Sequence, residues 1–471
     1  MKSTDYEFLW FTKKNGSGWD TWRELAATWL KQTDYGIDHK RNALNRFLDK
    51  YLVSHFITDP VELFETEKQD YEQFLSTLNL SEAYRVRQNN EVCNFIDWVI
   101  GTYYSQPDDN GNMVAMFRNP FEKGINPIKE QETVYNALPY TYIKQLRNTL
   151  CPVDRGHFSD WQWAIKRCDV FMENGRHSRD WIVVDEDFIN KADPDCVWRE
   201  IKLESGRYIR INGVLKSYKA GDSVFVIWSP VRAMALYIKL QLPLRTFQVR
   251  MLDSGEADTW RYHQSRWVKN TVNSFVEGNE KRPWQKGVFR RITTPDIGDL
   301  MTGLYINTNK TADRNKDELT RGYIIPWQHE LVLYWLEKLR NWQEKYNPIS
   351  KPTSIYELDF KHFGSTKTKT QRNEIGDICF LFRHAAAPTR SDRAMPVTTG
   401  FLHTLWAELM GQLESDVYEK GHRLSDGRKV LFVDPINPRK TLFPLHSLRV
   451  SLITCYTIEG EIPTPVLSKL L

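Results

Sequence analysis

The residues best suited to chemistry lie in Pro444-Leu445-His446-Ser447-Leu448-Arg449-Val450-Ser451-Leu452. His446 and Arg449 are three apart, and helical spacing puts such a pair on one face. An imidazole beside a guanidinium suits phosphate chemistry. Arginine grips two non-bridging oxygens through its planar fork, and histidine exchanges a proton near neutral pH. H-x-x-R also arises by chance, so the pair gains weight only from partners elsewhere. A second cluster, Cys151, His157, Cys168 and His177, has gaps of five, ten and eight residues. That spacing matches no common zinc module and reads as packing and surface residues, with no metal.

Apolar periodicity predicts the elements that must position these groups. A helix over 445–458, closed by Gly460, presents His446 and Arg449. The apolar run 224–241 predicts a long helix leading into Leu242-Pro243-Leu244-Arg245-Thr246-Phe247-Gln248-Val249. Strands near 304–306 and 323–325 flank a loop that carries Lys310 and Lys316. Further helices are expected over 140–150, 328–343 and 399–409, and strands at 181–184, 208–211 and 429–433. Helices with a small sheet make an α+β domain over 138–471. The turn-rich stretch 150–221 reads as an insertion within it.

Upstream, Trp22, Leu25, Ala26 and Trp29 open a series of amphipathic helices. Leu44, Phe47, Leu48, Tyr51 and Leu52 form the second, Tyr71, Phe74 and Leu75 the third, and Val92, Phe95, Ile96, Val99 and Ile100 the fourth, with Ser81 as its N-cap. Residues 20–104 thus form an α-helical module, preceded by an extension over 1–19 and followed by a Gly/Pro/Asn/Asp-rich linker over 105–137. Its Lys40, Arg41, Arg46, Lys50, Arg85 and Arg87 could neutralise phosphates, or could simply form a solvated face. The 64 basic and 60 acidic residues permit a nucleic-acid partner without requiring one. No signal peptide or membrane span is expected, and six scattered cysteines suit a reducing cytosol.

The continuation of the first motif, an apolar stretch from Leu452, then Gly460, then Ile462-Pro463, resembles the tyrosine recombinase family, the integrases of phages and mobile elements. There H-x-L-R opens a helix and a hydrophobic-proline step leads into the next. The resemblance implies a first arginine after a helix, for which Arg245 stands in place, and a lysine on a β-hairpin, for which Lys310 does. The family often carries an acid three positions after the first arginine, where this chain has Gln248. It also implies a helical core-binding domain that clamps double-stranded DNA with the catalytic domain, matching residues 20–104, and assembly with other recombinase subunits as a tetramer on DNA.

The reaction so implied is DNA strand breaking and rejoining through a 3′-phosphotyrosyl bond, with no metal or nucleotide cofactor, in the cytoplasm and nucleoid of a bacterial host. Arg245 and Arg449 would hold the phosphate, His446 would assist the proton transfer, and Lys310 would protonate the departing 5′-oxygen. The family's nucleophile lies several elements beyond the second arginine. Tyr456, seven residues past Arg449, reads as core packing, so the chain is expected to be truncated before the nucleophile and inactive in cleavage. Two alternatives remain open at this point: a non-catalytic DNA-binding partner of complete recombinases, and an unrelated DNA- or protein-binding phage protein.

Overall fold

A computed structural model describes residues 5–33, 35–65, 70–108, 112–125, 137–167, 180–211, 214–293, 300–309, 313, 316, 318, 320–463 and 467. The chain forms two compact units, Met1–Glu132 with Ser365–Arg372, and Thr133–Gly364 with Asn373–Leu471.

The first unit is helical: α1 Leu9–Asn15, α2 Asp20–Lys31, α3 Ile37–Arg46, α4 Pro60–Glu65, α5 Tyr71–Thr77 and α6 Glu82–Tyr103. In α2 and α6 the residues spaced at three and four, Trp22, Leu25, Ala26 and Trp29, then Val92, Phe95, Ile96 and Val99, are buried on one side as the periodicity requires. Beyond α3 the chain continues through Phe47–Leu52 in a wider turn that buries Phe47, Leu48, Tyr51 and Leu52. Phe8, Phe11 and Trp19, from the stretch expected as an extension, belong to this core. The stretch expected as a linker begins with paired strands β1 Ser105–Pro107 and β2 Met113–Ala115, and further on Phe121 stacks on Tyr71 with ring centroids 3.9 Å apart. Ser81 stands at the N-cap of α6 without a side-chain capping bond.

Residues 365–372 join this unit through Asp38. The carboxylate of Asp38 accepts the Thr366 backbone N–H at 2.9 Å and its hydroxyl at 2.8 Å, and Arg41 lies 3.3 Å away. Tyr6 and Thr366 share a hydroxyl hydrogen bond of 2.7 Å.

The second unit mixes helices with small antiparallel sheets. After α7 Tyr140–Leu150 and α8 Gln162–Arg167 come β3 Trp181–Val184, β4 Trp198–Lys202, the hairpin β5 Arg207–Ile211 and β6 Val214–Tyr218, and β7 Ser223–Trp228. The sheet order is β3-β7-β4. The stretch expected as an insertion is therefore part of the fold. Trp161 packs against Tyr237 and Trp335 in the main core, and β3 is buried along its whole length.

The run expected as one helix over 224–241 divides into β7 and α9 Val231–Gln241. Val224-Phe225-Val226-Ile227-Trp228 is β-branched and aromatic, and Pro230 interrupts the chain, so an apolar run that periodicity alone cannot resolve becomes strand, turn and helix. Every residue of α9 is buried. Next come α10 Thr246–Arg250, the hairpin β8 Trp260–His263 and β9 Arg266–Lys269, and the sheet of β10 Phe289–Thr293, β11 Leu300–Ile306 and β12 Tyr323–Ile325. The remaining helices are α11 Glu330–Tyr346, α12 Phe360–Phe363, α13 Lys369–Ile375, α14 Thr399–Glu419 and α15 Leu448–Ile458. The strand expected at 429–433 exists only as isolated bridges, Arg423 to Lys429 and Val433 to Thr441.

Candidate phosphate-binding site

Of the sequence-predicted residues, Arg245 and Arg449 lie close enough to feel each other's charge, while His446 acts on His403. Arg245 is the N-cap residue of α10. Arg449 lies in the first turn of α15, but His446 does not share its helix, because α15 starts at Leu448 and His446 sits in the turn before it. The Ser447 backbone N–H donates to the Pro444 carbonyl at 2.9 Å and its hydroxyl to the same oxygen at 2.8 Å, which closes a turn over 444–447. His446 is exposed, and Arg449 and Arg245 are half-buried.

The segment holding Arg245 is fixed by a row of backbone carbonyls at the end of α9, each capped by a side chain. Arg147 donates to Leu240 O at 2.9 and 2.5 Å, and the Tyr456 hydroxyl donates to Gln241 O at 3.1 Å. Arg449 donates to Pro243 O at 2.9 Å, and the buried Lys239 amine donates to Leu244 O at 2.8 Å. Cationic and hydroxyl donors satisfy carbonyls that a helix end leaves unpaired. Tyr456 is thereby a structural donor at this helix end.

Gln248 stands where the family often has an acid. Its Oε1 accepts the Arg245 backbone N–H at 2.8 Å, while Nε2 donates to Thr308 O at 2.9 Å and to the Tyr323 hydroxyl at 3.4 Å. An amide does here what a carboxylate could not, since one end must accept and the other must donate. Tyr323, at the start of β12, also takes a hydrogen bond from the Arg449 side chain and feels the charge of Arg245.

The electrostatics are those of like charges held close together. Burial and the adjacent Arg245 hold the Arg449 guanidinium below its ordinary value. Burial, and then Arg449, bring the Lys239 amine down to about 7. Burial raises the Tyr323 phenol despite both arginines. His403, on α14, is depressed by partial desolvation, by His446 and by Lys239. Arg245 Nη1 is buried with no hydrogen-bond partner among the described residues. Like charges gathered this way are costly unless a ligand of opposite sign joins them.

Lys310 lies outside the described residues, but the loop that carries it is anchored on both sides. Asp313 accepts the backbone N–H groups of Asn309 and, at 2.8 Å, Gly322. Gly322 has φ +79°, and a Cβ there would lie 2.2 Å from Ile306 O, so the return into β12 requires glycine. Lys316, the neighbouring lysine, donates its backbone N–H to Asp313 O at 3.1 Å.

Other expectations fare differently. Arg250, at the end of α10, is 1% exposed and donates to Val397 O, to Thr399 Oγ1 at 2.9 Å and to His362 O at 2.5 Å. In the helical unit Lys50 and Arg87 are exposed, while Arg46 and Arg85 are half-buried, with Arg46 donating to Gln88 at 3.1 Å. Lys40 and Arg41 are turned inward. Lys40 lies over the Trp29 and Tyr35 rings at 4.8 and 4.6 Å, and Arg41 over the Tyr6 ring at 4.9 Å. In the cysteine–histidine cluster, Cys151 is buried with its thiol 3.0 Å from Val153 O, His157 is exposed beside Asp195 at 3.5 Å, and Cys168 and His177 lie outside the described residues.

Sequence reasoning missed Tyr323, Lys239 and His403. Each comes from a different element and none forms a local motif with the arginines. Lys239 carried one signal: a charge in the middle of an otherwise apolar helix pattern, which must find a partner when buried.

The fold is mixed α+β, and the candidate site gathers Arg245, Arg449 and Lys239 near Tyr323. A family model described as "Putative integrase" matches residues 18–356, and the chain belongs to that family. No curated protein and no solved structure matches the chain. Among the described residues no helix is long and apolar enough to cross a membrane.

Proposed function

We propose that this integrase is a site-specific DNA recombinase of the tyrosine type, of the kind carried by phages and mobile elements, acting on double-stranded DNA with other recombinase subunits in a bacterial cytoplasm. The observation that carries the reading is the convergence of Arg245 and Arg449, two hundred residues apart in sequence, around Tyr323, with Arg245 Nη1 buried and unpartnered among the described residues. Two guanidinium forks of this kind hold the non-bridging oxygens of a phosphodiester and stabilise the charge of the pentacoordinate state, at about 3 kcal/mol per well-placed donor. His446 assists the proton transfer, Lys310 protonates the 5′-oxygen, and Lys50, Arg85 and Arg87 contact backbone phosphates from the helical unit.

A non-catalytic role as a DNA-binding partner of complete recombinases is favoured by one feature. The Tyr456 hydroxyl is committed to Gln241 O, so α15 offers no nucleophile.

The test is salt-dependent binding to duplex DNA. Arg245→Ala with Arg449→Ala is expected to weaken binding by roughly ten- to a hundredfold and to flatten the salt dependence. Salt-independent or absent binding by the unaltered protein removes the recombinase reading. A nicked suicide substrate separates the two roles: a covalent adduct mapped to Tyr456 would overturn its structural assignment.

A further inference from the structure

We propose that the phenol of Tyr323 is a third phosphate-binding group of this site, resting on the recombinase reading: it donates its proton to a non-bridging oxygen while Gln248 and Arg449 hold its oxygen in place. The argument is one of hydrogen-bond valence. A phenol has one proton to give and two lone pairs with which to accept. The orientation of the Gln248 amide is fixed by its two ends. Its oxygen must face the Arg245 N–H, and its nitrogen must face the Thr308 carbonyl. The Gln248 nitrogen, 3.4 Å from the Tyr323 oxygen, is therefore the donor of that pair. The Arg449 guanidinium has no lone pair to offer and can only donate to the same oxygen. Both lone pairs of Tyr323 are thus spoken for, and its own O–H must point to a third group.

Arg245, whose charge acts on the phenol, has its Nη1 buried without a hydrogen-bond partner among the described residues. The site thus offers two donors, the charged Arg245 Nη1 and the neutral phenol O–H. The chemistry that satisfies both is an anionic oxygen with lone pairs in several directions, as in a phosphodiester. Register supports the placement. Tyr323 pairs with Ile306 across β11 and β12, so the phenol projects from the same strand end whose loop carries Lys310. The anchors at Asp313 and Gly322 hold this strand end at a set position.

Fluorotyrosine placed at position 323 of the full chain, observed by fluorine NMR while a short duplex DNA is added at low salt, reports on the group directly. A saturable shift of this one resonance, lost in the Arg245→Ala background, is the expected result. Tyr323→Phe keeps the ring and removes only the hydroxyl, and is expected to weaken binding by about tenfold, the effect of one hydrogen bond to a charged acceptor. Fluorination also makes the hydroxyl a better donor and a poorer acceptor, so affinity should rise if the phenol donates to phosphate and fall if it serves only to hold Arg449. If DNA binds, Arg245→Ala weakens it, and the fluorine signal and the Phe variant are both unchanged, the phenol assignment is wrong and the recombinase reading stands. If neither Arg245→Ala nor Tyr323→Phe alters binding, both fall. A covalent adduct at Tyr323 would also overturn the proposal, because the phenol would then be a nucleophile and not a donor.

Discussion

At the scale of single residues, the candidate site gathers cations at a cost to stability. Lys239 shows the cost most clearly. Its amine is buried with Arg449 and His403 as charged or titratable neighbours, and is brought down to about 7 from an unfolded value near 10.5. Between those values the unfolded chain binds a proton that the folded chain does not, so this group makes stability rise as pH climbs from about 7, and its penalty is fully felt below that. Lys239→Met should therefore lose part of the pH dependence. The stability of the variant relative to the parent is expected to be greater near pH 6 than near pH 9 by roughly 2 kcal/mol, measured by denaturant unfolding at each pH. An equal offset at both would show that the amine stays charged throughout. Arg245, His446 and Arg449 could be singled out from the sequence because two of them form a local motif and the third follows a long apolar run. Tyr323 and His403 could not, because one tyrosine or histidine has no pattern of its own until the fold chooses its neighbours.

At the scale of elements, the end of α9 decides where Arg245 points. Four carbonyls in and just beyond its last turn are held by Arg147, Tyr456, Arg449 and Lys239, from three different helices. Arg147→Ala removes two donors from Leu240 O without touching the phosphate groups, and is expected to cost about 1–3 kcal/mol in thermal or denaturant unfolding. It should also weaken DNA binding indirectly, by loosening the turn 242–245. An unchanged unfolding curve would show that water replaces the guanidinium. Helices with a clean period, such as α2, α6, α7 and α11, were legible from burial spacing alone. The split of residues 224–241 was not, since Val224 to Trp228 and Val231 to Gln241 are apolar in succession and only Pro230 separates them. Nor was the turn at His446, where a side-chain hydrogen bond from Ser447 to the chain three residues back overrides the helical spacing of the motif.

At the scale of the whole molecule, the helical unit is not continuous in sequence, and nothing in the composition of residues 365–372 announced that they belong to it. Their attachment includes Asp38, which accepts twice from Thr366 and lies beside Arg41, and the hydroxyl of Tyr6, bonded to that of Thr366. Thr366→Val is expected to destabilise this unit by about 1 kcal/mol, visible as faster amide exchange in α3. Exchange unaltered in α3 would mean that the attachment adds nothing to its stability. The feature has a consequence in polymer terms. Because Ser365–Arg372 returns to the body that Met1–Glu132 began, all of the chain between is a closed loop with both ends anchored in one place. For the unfolded chain, bringing these two segments together costs an entropy that grows only slowly with the length enclosed. A very long excursion of the polypeptide is in this way tied off by a handful of hydrogen bonds.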